Sequence, residues 1–564
     1  MFRKNEQHRQ WSMFGSVNEL PTKLQRRLEE SWAGSFYREA FVRIDEGLFE
    51  PLYAEVDSRP NTPVNVLLSF EILKAGFGWS DSETYDHFCF DLQVRYAIGC
   101  RDLSDGHFEL RTVYNFRRRL LDHHHRTGQD LLGLVFEQVT DVQLRSLGVA
   151  TSQVRVDSTQ VASNIRNFSR LQLLVEVLLR VYRMLSNIDR ARYDGLLKEY
   201  VRQESTTFVF GVSSAEGRRH IAHIGQTMAT LLDKLAPSYS DAPVYQLLAR
   251  VFEEQFVQED GDWRPRQPRE IASGCLCSPD DAEATMRRKR DVPHKGYVAN
   301  VTETCAPENE LQLIVKVQTA PNLATDVRLL EESLPSLKRR LDIDECYTDG
   351  GYNNERVYET MRALGIQHWQ TGIQGHPSSR HLGLYRYKIL RSLQGEPWKV
   401  ICPQGQQGLV TKRLAGSYIA YFDLQLCRGC PHAETCLAKV LRSQRSLRFR
   451  AYDAEIARRR QRIEEYKAAG SNPRSAIEST VYSLKRPFGA KLPVRGLYRV
   501  HGLLVGSAFM ANVRRINRWW RRSLGPTESQ AGQSAPFHSF FSLLARLVQV
   551  HRCRRLLRTS TVAN

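Results

Sequence analysis

At Val149 the hydrophobic pattern changes period. Upstream, apolar residues recur at helical spacing, as in NVLLSFEILKAGFGWSDSETYDHFCFDLQVRYAIGC, where Ser80 or Asp81 offers an N-cap for a helix running toward Tyr96. VATSQVRVDSTQ instead alternates apolar and polar residues and reads as a strand entering a turn at Asp157-Ser158-Thr159. A helical stretch follows over about 169–256, then a polar segment containing Gly274 and Asp280-Asp281. GYVANVTETC and ELQLIVKVQTA form a hairpin around PEN, and Pro321 opens a helix through DVRLLEESLPSLKRRL. DIDECYTDGG is a strand ending in Asp349 and a Gly-Gly turn, NNERVYETMRAL is an Asn-capped helix, and IQHWQT is the last strand.

With the helical insertion set aside, three strands precede alternating helices and strands. This order predicts an α/β fold with a ribonuclease-H-like core, a mixed five-stranded sheet in which the first and fourth strands are neighbours. Asp157 and Asp349 end those two strands, so two carboxylates distant in sequence are expected side by side. A third acid lies in SNPRSAIESTVYSLKRP. Ser471 or Asn472 can cap this helix, Pro473 suits its first turn and Pro487 stops it. Arg474, Glu478 and Lys485 return to one side at about 3.6 residues per turn, while Ile477, Val481 and Leu484 mark an apolar face. A Glu between an Arg and a Lys is usually a surface ion-pair ladder. Three carboxylates on such a scaffold also suit two Mg²⁺ (or Mn²⁺) ions in phosphoryl transfer, with Arg474 and Lys485 holding phosphates.

Charge narrows the partner. The chain has 80 Lys and Arg against 62 Asp and Glu, yet residues 437–564 alone hold 26 basic and 6 acidic residues, a net of +20, which leaves −2 on the first 436. A basic block on a near-neutral body points to a polyanion, nucleic acid first, over a merely solvated face. Its arginines include Arg514, Arg515 and Arg518, candidate DNA contacts beside Arg474 and Lys485. Phosphate contacts carry little base information. Sequence-specific recognition is therefore expected of another element, the N-terminal helices around Arg111 to Arg119, whose run Arg117-Arg118-Arg119 fits a DNA-reading helix pair and an ordinary bundle equally well. MFRKNEQHRQW lacks the apolar stretch of a signal peptide, and no uninterrupted apolar run spans a bilayer. Eleven cysteines, an odd number, fit a reducing cytoplasm, so clustered thiols are read as free or metal-bound.

These residues carry a resemblance. VDST with Asp157, YTDGGYNNE with Asp349, and R-x3-E-x6-K with Arg474, Glu478 and Lys485, followed by RGLYRVHGLLVGSAFMANVRRI, resemble a DDE transposase of a bacterial insertion sequence. The last two segments resemble transposases with the Y-R-E-K signature, although the signature's Tyr falls on Ser471 here. The cysteine-bearing segment before the Glu points to the IS-eleven-eighty-two group. The resemblance implies a two-metal enzyme in which water attacks a phosphodiester at a transposon end and the freed 3′-hydroxyl attacks target DNA. It also implies a homo-oligomer on DNA, with terminal inverted repeats and target DNA as partners. The competing readings are a DNA-binding protein that keeps the fold without catalysis, and a nuclease that only hydrolyses.

The cysteine segment has its own candidate site. Cys402, Cys427, Cys430 and Cys436 give C-x24-C-x2-C-x5-C, compatible with tetrahedral structural zinc and equally with partly buried free thiols; His432 is a substitute ligand. The expected organisation is a helical N-terminal domain over 1–148, a catalytic core from 149–165, 280–395 and 470–525, a helical insertion at 166–279, the cysteine insertion at 396–469 and a basic tail at 526–564.

Overall fold

The computed structural model describes residues 1–9, 15–54, 60–102, 104–289, 292–372, 381–392, 396–413, 416–468, 472 and 474–523. The chain divides into two units, Met1–Asn517 and Arg518–Asn564. In the second, the described residues 518–523 are helical. The expected basic tail, and Ser471 and Pro473, lie outside the described residues.

The N-terminal region is helical as its periodicity predicts. Ser80 caps Asp81–Phe90 in a reciprocal box with Glu83. The helix expected to run to Tyr96 breaks at Asp91, which caps Leu92–Ala97 instead. Helices Leu110–Thr127 and Leu131–Leu147 lead into β1 (Gln153–Val161). Five helices then follow β1, packed around Arg170–Met184, whose Leu174, Val177 and Leu178 anchor a separate apolar cluster. The helices are followed by a small hairpin of β2 (Phe256–Glu259) and β3 (Asp262–Pro265), which the helical pattern did not foretell.

The mixed central sheet has six strands, not the expected five: β1, β4 (Thr285–Lys289), β5 (Val292–Thr304), β6 (Ile314–Pro321), β7 (Glu345–Thr348) and β8 (Gln367–Gln370). Its order is β4-β5-β1-β7-β8, with β6 also paired to β5. The added strand, TMRRK, is basic at its end and pairs only with β5, so it carries no apolar alternation to betray it. β1 runs antiparallel to β5, from Val154 opposite Thr304 to Val161 opposite Tyr297, and parallel to β7, which runs parallel to β8. Parallel neighbours require crossovers; helices Asp326–Arg340 and Glu355–Ala363 supply them. Pro321 ends β6 rather than opening a helix, and Thr325 caps the helix by accepting from Arg328 N at 3.2 Å.

The cysteine segment folds into a second, antiparallel sheet ordered β13-β14-β12-β11-β10-β9. Its strands are β9 (Lys388–Arg391), β10 (Pro397–Ile401), β11 (Gln407–Lys412), β12 (Ser417–Asp423), β13 (Lys439–Val440) and β14 (Gln444–Arg450). Helix Ala451–Ala468 leads back to the central sheet, where buried Arg459 donates to Gln370 at the end of β8. The chain then enters helices Ser475–Lys485 and Leu497–Ser523. Within the first unit the latter is the spine of the core. Val505 and Phe509 join Phe70 and Val135 from the N-terminal helices and Val301 and Ile314 from the sheet in one apolar cluster. Gly76 makes this crossing close: a Cβ there would meet Met510 Cγ at 2.3 Å.

Candidate active site

Strand alternation builds the floor of the site. Val154 and Val156 are buried on one face of β1, so Arg155, Asp157 and Thr159 share the other. Asp157 accepts its neighbour Ser158 N–H at 2.9 Å. On the adjacent parallel strand, Asp349 follows the last residue of β7 and caps a short 3-10 turn, accepting Gly351 N–H at 2.8 Å. Tyr352, fully buried below the turn, donates to Asn300 Oδ1 at 2.6 Å. Burial and then the charges of Asp326, Asp157 and Asp349 hold its hydroxyl far above the usual phenol range.

The third acid arrives on helix Ser475–Lys485. Its apolar face, Ile477, Val481 and Leu484, is buried as its spacing predicts. Arg474 stands at the N-cap position, its own N–H held by Asn472 Oδ1 at 3.0 Å. Its guanidinium reaches Asp157 Oδ2 at 3.0 Å and, one helical turn on, Glu478 Oε1 at 2.5 Å, while Nε donates to Thr371 Oγ1 at 3.1 Å. One cation thus bridges two carboxylates far apart in sequence. Burial pushes the Asp157 carboxyl up to about 6; Asp349 and Glu478 add to the rise, and Arg474 and the Ser158 N–H oppose it. The cluster carries more negative charge than Arg474 neutralises, and its donors are hard oxygens. Both features fit a divalent cation. Among the described residues, however, no group of three or more His, Cys, Asp or Glu side chains is arranged to hold a metal ion. Arg474 stands where Asp157 and Glu478 would meet.

The basic candidates fall into different roles. Lys485 turns inward, donating to Thr159 Oγ1 at 2.6 Å and Gln160 O at 3.1 Å, and burial lowers its pKa. Arg515 pairs with buried Glu303 at 2.8 Å and also bonds Gln312 O and Thr480. Arg514 lies over the Phe77 ring at 4.9 Å. Arg518 is helical in the second unit. In the N-terminal helix Arg117 is tied to Glu71 and Asp81, whereas Arg118 and Arg119 are exposed, Arg119 lying over the Tyr53 ring.

Three residues near the acids escaped the sequence reading: Thr371, Glu303 and Asp326. Asp326 Oδ2 and Asp349 Oδ1 both lie within 3.4 Å of the point a Cβ on Gly351 would occupy. Its only local signal is that of an acid in the first turn of a Thr-capped helix, which reads as capping chemistry.

Cys402, Cys427, Cys430, Cys436 and His432 all line one cavity of about 290 Å³, walled largely by the loops of the second sheet. A turn at Cys402-Pro403-Gln404-Gly405 closes on Gly405 N–H to Cys402 O at 2.8 Å, with Gly405 at φ 83°. The Tyr387 hydroxyl lies 3.2 Å from Cys436 Sγ, Gln406 donates to Cys427 Sγ at 3.5 Å, and burial pushes the Cys427 thiol up. The four thiols are free.

Residues 401–517 match the family described as Transposase DDE domain. The match takes in most of the cysteine sheet, Arg474, Glu478, Lys485 and most of the spine helix, and stops short of Asp157 and Asp349. It supports a DDE transposase family, suggests a transposase acting on DNA, and supports nuclease or transposase activity. No curated protein and no solved structure matches the chain. Among the described residues no helix is long and apolar enough to cross a membrane.

Proposed function

We propose that the chain is a divalent-metal-dependent transposase of the IS-eleven-eighty-two group, built on a ribonuclease-H-like core, that cuts insertion-sequence ends and joins them to target DNA in the cytoplasm. The observation that carries the reading is the single guanidinium of Arg474 bonded to both Asp157 and Glu478, with Asp349 just past the end of the strand that pairs with β1. Asp157, Asp349 and Glu478 would hold Mg²⁺ or Mn²⁺, whose chemistry is to activate an attacking oxygen and stabilise a leaving one. Arg474, exchanged off its carboxylates, would take a DNA phosphate. Lys485, seated on Thr159, would hold the helix against β1. In hydrolysis the water oxygen bonds to phosphorus as the P–O3′ bond breaks, leaving a 3′-hydroxyl and a 5′-phosphate. In strand transfer that 3′-oxygen bonds to a target phosphorus and displaces the target's own 3′-oxygen. Two ends joined in one reaction call for at least two copies on DNA.

The test uses the purified full chain and DNA bearing the inverted repeats that flank its gene. D157N, D349N and E478Q should each lose Mg²⁺-dependent cleavage, by about 10³-fold or more, while binding DNA as the wild type does. Cleavage retained in any one rejects that residue. Joined products separate a transposase from a nuclease that only hydrolyses.

A second metal reading concerns the cysteine sheet. Four cysteine sulfurs lining one cavity have the soft donor chemistry that suits Zn²⁺; Cys402, Cys427, Cys430 and Cys436 would have to ionise and draw together to hold it. Metal analysis should find about one zinc per chain, and C427S with C430S should abolish it. Metal-free protein with an unchanged melting temperature would leave the thiols as packing residues.

A further inference from the structure

We infer that Glu303 is a positioning residue for the proposed site, acting through Thr480 and Arg515 to set the register of the Glu478 helix on the strand that bears Asp157. The inference rests on reading Asp157 and Glu478 as site carboxylates.

Glu303 has no exposed side-chain surface and stands on β5 directly opposite Arg155 on β1, two residues before Asp157. Its Oε1 accepts Arg155 Nε at 2.7 Å. Its Oε2 accepts Arg515 Nη1 at 2.8 Å and the Thr480 hydroxyl at 2.9 Å. Arg515 Nη2 donates to the same hydroxyl at 2.5 Å, and Nη1 also donates to Gln312 O at 3.1 Å. One carboxylate therefore joins β1, β5, the Glu478 helix and the spine helix, and Thr480 lies two residues beyond Glu478.

The arrangement exceeds what stability needs. A buried carboxylate with its guanidiniums costs desolvation that an apolar replacement would avoid, and such groups are best attested as devices that specify register. Here register matters. Glu478 is 62% exposed, and Arg474 is the one ion-pair partner it has among the described residues. Its place over Asp157 is set by the helix that carries it. That helix rests on Ile477, Val481 and Leu484, and apolar burial is non-directional, so it tolerates a slide or roll that hydrogen bonds do not. At the Glu303 end of the β5–β6 ladder the register shifts between Thr302 and Glu303, the kind of irregularity that re-aims a side chain. Arg515, from the basic block, is thereby committed inside the protein.

The test compares full-length T480V, T480S and E303Q. T480V keeps the shape and removes the hydroxyl; T480S restores it. Readouts are Mn²⁺ binding by electron paramagnetic resonance, the Mn²⁺ dependence of cleavage, DNA affinity and melting temperature. T480V should raise the half-saturating Mn²⁺ concentration about five- to tenfold at unchanged DNA affinity, and T480S should return it to within about twofold of wild type. E303Q should shift Mn²⁺ binding the same way and also lower the melting temperature. Wild-type Mn²⁺ behaviour in T480V overturns the inference, as does a defect that T480S fails to rescue. If D157N binds Mn²⁺ as well as the wild type does, the underlying assignment of the site has failed, and the positioning role fails with it.

Discussion

Arg474 is the residue at which the two proposed site carboxylates meet. Its bonds to Asp157 and Glu478 satisfy, with one cation, carboxylates that would otherwise repel each other. A metal held by the proposed carboxylates would compete with Arg474 for the same oxygens. R474A should bind Mn²⁺ more tightly than wild type in the absence of DNA, by a factor on the order of ten, and yet cleave DNA poorly because a phosphate contact is lost. A Mn²⁺ titration without DNA measures this, and equal or weaker binding by R474A would falsify the placeholder role. The R-x3-E spacing made the Arg474–Glu478 contact legible, since i and i+4 are neighbours on any helix. The Arg474–Asp157 contact was not legible, because nothing local links residues so far apart in the chain.

At the scale of elements, the N-terminal helices are joined to the spine helix by a partly buried ionic pair as well as by apolar packing. Asp130 caps Leu131–Leu147 by accepting Gly133 N–H at 3.1 Å, and its other oxygen lies 2.7 Å from His501 Nε2. The His501 Nδ1 faces Thr319 Oγ1 at 3.2 Å. Burial disfavours both charges, but their mutual attraction wins. Asp130 is held down at about 2, and the His501 pKa is raised above 6.5, with Glu137 adding to the rise and Lys316 opposing it. A raised histidine stabilises fully below its ordinary value, and that contribution is lost as pH climbs through the raised one. A depressed aspartate stabilises above 3.8 and loses that contribution as pH falls toward 2. The pair should therefore contribute most between about pH 4 and 6.5. H501Q should lower the melting temperature more at pH 5.5 than at pH 8.5, and equal losses at the two values would reject the linkage. Helix caps such as Ser80 and Asn354 were readable because they act within three residues. The strand TMRRK was not, since an edge strand is defined by its partner.

For the whole molecule, the net of +20 after residue 436 overstates the charge available to DNA. Arg445 donates to Ala433 O and Ala438 O, Arg459 is buried against Glu455 and Gln370, and Arg474 and Arg515 are engaged by acids. Affinity should fall with salt at a log–log slope of about −0.9 per phosphate contact. R486Q, at an exposed position beside the site helix, should flatten that slope by about 0.9, whereas R515Q should leave it unchanged and lower the melting temperature. A slope that flattens in R515Q would return that residue to the DNA surface.

What the sequence determined by itself is what acts over short range. Alternation in VATSQVRVDSTQ makes β1 a strand, four-residue spacing aligns Arg474 with Glu478, and the element order brings the strand ending at Asp349 beside β1, because parallel neighbours need the crossovers that the helices supply. The tertiary structure alone decided which charges meet. Glu303 was one acid among 62 and Arg515 one base among 80, and neither carries a local signal of its partner. Long-range pairing depends on which faces the packed sheet and helices turn toward each other, and on the cost of burying a charge unmatched. That cost selects Glu303 with Arg155 and Arg515, and Asp130 with His501, from a composition that allowed many other pairs.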